Sequence, residues 1–148
     1  MSSQNATRRL VVGIDGSPGA AEALRWAARH AELSGLGIDA VIAWQPPVSY
    51  GWAYGIDDWR PDADAEKTMT AQIDAIFGTQ RPAHLRLLVR EGHAAKVLIE
   101  ASKDAELLVV GSRGHGGFAG LLLGSVSANC AERAHCPVVV VHPSAHAE

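Results

Sequence analysis

The chain has 148 residues, enough for one domain with a real core. Hydrophobic residues make up 47% and charged residues 20%, a globular balance that argues against disorder. The net charge of −3 argues against a general nucleic-acid-binding face, so any anion site must be local. Apolar runs are all shorter than a bilayer span, and no signal-peptide core follows Arg8 and Arg9. The expectation is a cytoplasmic protein without membrane contact.

Residues 1–7 and 144–148 read as loose tails. Arg9 to Ile14 is a short apolar strand that stops at Asp15-Gly16-Ser17-Pro18. Ser17 caps a helix whose first position is Pro18, where the missing N–H costs nothing. Ala20, Ala23, Leu24, Ala27, Ala28 and Ala31 share one face of it, Glu22, Arg25, Arg29 and Glu32 lie opposite, and Gly35 ends it. Ile38 to Trp44 is nearly all apolar, as suits a parallel strand buried on both faces.

The next stretch has no regular period. Its aromatic segment, residues 46–59, reads as a cover over a site, as a partner surface or as ordinary loop packing. A second helix carries Ala65, Met69, Ile73 and Ile76 at helical spacing, with Gly78 beyond. A third strand lies around Leu85 to Val89; His93 follows it and is given no role. The third helix spans about Ala94 to Ser102, with Val97, Leu98 and Ala101 facing inward. Leu107 to Val110 is the fourth strand, Ser125 to Ala134 the fourth helix and Val138 to His142, after Pro137, the last strand. Cys130 and Cys136 read as buried thiols, and His135 has no second ligand pair at zinc spacing. Alternating short strands and helices predict an α/β fold with a parallel sheet covered on both faces.

The specific signal lies between the fourth strand and the fourth helix, where Gly111, Gly114, Gly116, Gly117, Gly120 and Gly124 fall within fourteen residues. Strand, glycine loop and helix start suit a phosphate: glycine lets the backbone approach closely, and first-turn N–H groups point at the anion. The hydroxyls of Ser125 and Ser127 would add donors. A flexible surface loop is the competing reading. No Gly-Lys-[ST] of a Walker A loop occurs, and the spacing is not the Rossmann G-x-G-x-x-G.

Gly111-x2-Gly114-x9-Gly124-Ser125 resembles the universal stress protein family, in its ATP-binding branch, whose signature G-x2-G-x9-G-[ST] is matched at every fixed position. The resemblance covers nearly the whole chain. It implies a Rossmann-like, adenine nucleotide alpha hydrolase-like three-layer sandwich, with a five-stranded parallel sheet in the order 3-2-1-4-5. In that order Gly13, Ile14 and Asp15 at the end of strand 1 face the glycine loop across the crevice where the winding reverses.

The resemblance further implies site roles. Asp15 lines the nucleotide pocket, contacting ribose or base or holding a phosphate-bound Mg²⁺, although Asp-Gly is also a turn signal. Adenine lies against Ala43, with Ile42 and Trp44 adjacent, and Trp44 reads more naturally as core. Val110 and Gly111 meet the ribose, and Gly114, Gly124, Ser125, Val126 and Ser127 cradle the phosphates. Arg113 and His115 are either phosphate partners or ordinary loop residues, and Leu121, Leu122 and Leu123 anchor the loop.

The function implied is an ATP-binding stress-response regulator or sensor, with protein partners and a homodimer formed through Val138 to His142. Pro137 and Pro143 would otherwise simply protect that edge. Cyclic AMP binding and slow ATP hydrolysis are the alternatives. Ordinary phosphoryl transfer is disfavoured by the lack of a P-loop lysine. An FMN carrier would need a Ser/Thr-rich cradle after strand 1, which is missing.

Overall fold

The computed structural model describes residues 8–46, 60–114 and 123–143. Strands β1 (Arg9–Gly13), β2 (Gly37–Trp44), β3 (Leu85–Glu91), β4 (Leu107–Gly111) and β5 (Val138–Val141) form one parallel sheet. Its order is β3-β2-β1-β4-β5, as expected. Helices α1 (Pro18–Ser34), α2 (Pro61–Phe77), α3 (Ala94–Ala101) and α4 (Ser125–Arg133) connect them.

The period-two alternation of the central strands assigns each face its helices. Leu10, Val12, Ile38, Ala40, Ile42 and Val109 pack with Ala23, Leu24 and Ala27 of α1 and with Met69 and Ile73 of α2. Val11, Val41, Leu108 and Val110 face Leu98 of α3 and Cys130 of α4. Small alanines let α1 lie close on the sheet. The expected caps are present: the Ser17 hydroxyl accepts from Ala20 N–H at 3.2 Å, and Gly35 closes α1 at φ 79°.

Several boundaries differ from expectation, each for a local reason. β1 ends at Gly13, although the Ile14 N–H still donates to the Val41 carbonyl at 2.8 Å. α3 stops at Ala101 because Ser102–Asp104 tighten into a 3₁₀ turn. There the fully buried Ser102 hydroxyl donates to the Ile99 carbonyl and accepts from His135 N–H. β5 stops at Val141 and leaves His142 outside. Cys130 is buried, but Cys136 is half-exposed, which corrects the reading of both thiols as buried. Burial pushes the Cys130 thiol up to about 11.

The sequence pattern named no partner for the one charge inside β2. Asp39 is 8% exposed and stands opposite Arg86 in the β2–β3 register. Arg86 binds its two carboxylate oxygens as a fork, both contacts at 2.8 Å, and Arg9 Nε reaches Oδ1 at 2.6 Å. Arg9 also donates to the carbonyls of Ile38 and His84, so one guanidinium ties the starts of three strands together. Burial alone would raise the Asp39 pKa; the hydrogen bonds from Arg86 and Arg9 outweigh it and hold the carboxyl below its usual value.

Candidate functional site

β1 and β4 are neighbours, and the chain leaves their C-terminal ends toward opposite faces. The turn after β1 is built around Asp15. Its Oδ1 accepts hydrogen bonds from both the N–H (2.8 Å) and the hydroxyl of Ser17, and Gly16 takes φ 81° between them. Ser17 is 2% exposed and caps α1, so the carboxylate is fixed by a group that is itself fixed. The other oxygen, Oδ2, overlies Gly114: a Cβ there would lie 2.6 Å from it. The two sequence-remote motifs therefore touch.

A cavity of about 60 Å³ lies at this junction. Of the expected site residues, Gly13, Ile14, Asp15, Ala43, Val110, Gly111, Arg113, Gly114, Val126 and Ser127 line it. Gly124 and Ser125 do not, and His115 falls outside the described residues, as do Leu121 and Leu122. The volume is roughly that of two waters and far below the ~300 Å³ of ordinary ligand pockets.

The base of the glycine loop is closed by one carbonyl. Ser112 O accepts from Gly124 N–H at 2.7 Å and from the Ser127 hydroxyl at 2.8 Å, and Ser112 itself is 2% exposed. In this structure the Gly124 N–H and the Ser127 hydroxyl proton, two groups of the expected phosphate cradle, both serve loop closure. What remains is the first turn of α4: the N–H groups of Ser125, Val126 and Ser127 have no intrahelical acceptor. The first helical bond runs from Ala128 N–H to the Gly124 carbonyl.

The family model for the universal stress protein family matches residues 6–142. The chain belongs to that family. A universal stress protein of Mycobacterium tuberculosis is 38% identical over 152 residues, covering 96% of this chain and 50% of its own. This chain spans about half the length of the curated relatives it matches. Among solved structures, UspA of Lactobacillus plantarum superposes with a TM-score of 0.76 at 18% identity, over 91% of this chain and 97% of that one. A universal stress protein solved in complex with cAMP gives 0.70 at 27% identity, over 94% and 99%.

Within this universal stress protein fold, sequence reasoning missed the residues that shape the cavity from the α3 side. Ala94 and Leu98 line it, and Leu98 lies over Gly13, where a Cβ would come within 2.9 Å of its Cδ1. Their signal was only the inward face of a helix. Trp44 packs against the α1/α2 core, as expected of a tryptophan in an apolar strand. Of the aromatic segment 46–59, residues 47–59 fall outside the described residues.

A larger cavity of about 560 Å³ opens beside β3 and shares only Val41 with the first. Its base is the Arg9–Asp39–Arg86 cluster, where the charges already satisfy one another. Arg90, Lys96, Glu91, Glu100 and Asp104 also line it, so charges of both signs face the space. No group of His, Cys, Asp and Glu capable of holding a metal ion alone occurs among the described residues. No helix among them is long and apolar enough to cross a membrane.

Proposed function

We propose that the crevice between β1 and β4 binds an adenine nucleotide, ATP foremost, and that occupancy regulates the surface this universal stress protein shows to its partners. The observation that carries the reading is the contact of the Asp15 carboxylate with Gly114 across a cavity bordered by the first turn of α4. Adenine packs against Ala43, ribose against Val110 and Gly111, and phosphate against Gly114 and the N–H groups of Ser125, Val126 and Ser127. Arg113 is exposed and supplies a planar fork for phosphate oxygens. Asp15 is the carboxylate that lines the crevice and would meet a phosphate-bound Mg²⁺, which needs few protein ligands when phosphate supplies the others. In that role the ion would neutralise phosphate charge.

Support comes from the 27%-identical relative solved with cAMP, which makes the cyclic nucleotide the second reading. Calorimetric titration with ATP-Mg²⁺ and, separately, cAMP decides between them. Gly114→Val is the control, because its side chain would occupy the position facing Asp15. ATP binding by the wild type, lost in the variant, supports the proposal. Tighter cAMP binding replaces it with the second reading, and binding of neither overturns both.

The proposal extends to a homodimer. β5 pairs with β4 along one edge, and no strand among the described residues pairs with its other edge. A second copy laid against it would satisfy the outward backbone groups.

A further inference from the structure

Helix α2 packs on the sheet through Ala65, Met69 and Ile73. One polar side chain reaches from it to the turn that carries Asp15. Gln72 Oε1 accepts from Gly16 N–H at 2.9 Å, and Gln72 Nε2 donates to the Ser17 carbonyl at 3.0 Å. The amide orientation follows from its partners, since the Gly16 N–H needs an acceptor and the Ser17 carbonyl a donor. Both contacts of one rigid amide fall on successive residues, on the peptide units either side of the Gly16–Ser17 bond, so together they restrain the turn between Asp15 and Pro18. Ser17 in turn directs its N–H and hydroxyl at Asp15 Oδ1.

We propose that Gln72 is a positioning residue of the nucleotide site: it clamps the Gly16–Ser17 turn and thereby aims the Asp15 carboxylate into the crevice. The inference rests on the nucleotide reading of that crevice and adds a residue from a helix that does not line it. Met69 and Ile73 of α2 share a core with Ile42 of β2, next to Ala43, which borders the crevice. The clamp therefore ties the base-side strand to the acidic turn through α2. Gly16 is in the left-handed region and offers the clamp no side-chain obstruction.

The test uses Gln72→Met, which keeps the unbranched stem and a good helix former while deleting both hydrogen bonds. Asp15→Ala and the double variant are measured beside it. Each protein is titrated with ATP-Mg²⁺, and exchange of the Ser17 amide hydrogen is followed by NMR. The expected result is about a fivefold loss of ATP affinity in Gln72→Met, about what a lost hydrogen bond costs. The loss vanishes when Asp15 is already alanine, and Ser17 exchange is faster in Gln72→Met. Unchanged ATP affinity in Gln72→Met, or losses that simply add in the double variant, overturns the proposal. A merely structural glutamine would shift the unfolding midpoint without that coupling. A wild type that binds neither ATP nor cAMP overturns the nucleotide reading instead. The clamp is then judged on Ser17 exchange alone, whose acceleration supports it and whose constancy overturns it.

Discussion

Gly111 meets Gly19 backbone to backbone: a Cβ on Gly111 would lie 2.6 Å from both the carbonyl carbon and the carbonyl oxygen of Gly19. A Cβ on Gly19 would in turn run into the Arg113 carbonyl oxygen. The start of α1 thus sits directly on the strand that feeds the glycine loop, with room for no side chain between them. Gly114 follows directly on Arg113, and it is there that the Asp15 carboxylate meets the loop.

The two glycines flanking the crevice floor should therefore respond differently to the same change. Gly111→Ala must push α1 off β4, against backbone atoms that cannot swing aside, and should cost about 1–3 kcal/mol. Gly13→Ala meets only the end of the flexible Leu98 side chain and should cost less than about 1 kcal/mol. Urea unfolding of both variants checks the ranking. Equal losses would show that α1 adjusts freely over β4.

Acid stability should depend on Asp39. Its folded pKa lies below the unfolded value, so its contribution is complete above the unfolded carboxyl range. The contribution disappears as pH falls through the folded value, below about pH 4. Asp39→Asn should flatten the acid limb of the stability profile there. Asp39→Ala should cost about 3 kcal/mol at pH 7, because Arg9 is left buried without its carboxylate. Thermal melts from pH 3 to 7 read both effects, and an unchanged acid limb in Asp39→Asn would refute the assignment.

Much of this was legible in the sequence because the signals are local. Ser17 followed by Pro18, and Gly35 after a run of alanines, state where α1 begins and ends within a few residues. Spacing marked the glycine loop, and family resemblance supplied the strand order that brings Asp15 to it. The contacts that were missed are long-range. Asp39 meets Arg86 across 47 positions and Gln72 meets Gly16 across 56, distances over which no pattern in the chain reports a partner. The acceptor of the Ser127 hydroxyl was hidden for the same reason, since Ser112 lies across the loop from it.

The thiols should separate by accessibility. With a pKa of about 11, Cys130 is a thiolate in roughly one molecule in a thousand at pH 8, and it is completely buried. It should react with an aromatic disulfide reagent only as fast as the protein unfolds. Cys136 is half-exposed, and its thiol is raised first by burial and then by the nearby Glu106 carboxylate, so it should react slowly but without unfolding. A Cys136→Ser variant that still labels quickly in native buffer would contradict the packing described for α4.

The proposed dimer can be tested without disturbing the sheet, because the backbone directions along β5 are known. The carbonyls of Pro137 and Val141 accept from Leu108 and Ser112 of β4. In a parallel pair, alternate residues turn both their N–H and C=O the same way. Val139 therefore shares their direction, and Val138 and Val140 present theirs to the open edge. Val140→Pro deletes an N–H on that outer edge only, and proline asks for the extended backbone that Val139 already has. Sedimentation analysis should show a dimer for the wild type and a folded monomer for Val140→Pro, with the unfolding midpoint compared at matched protein concentration. A variant that stays dimeric would place the interface elsewhere, and a wild type that sediments as a monomer would remove the reason for one.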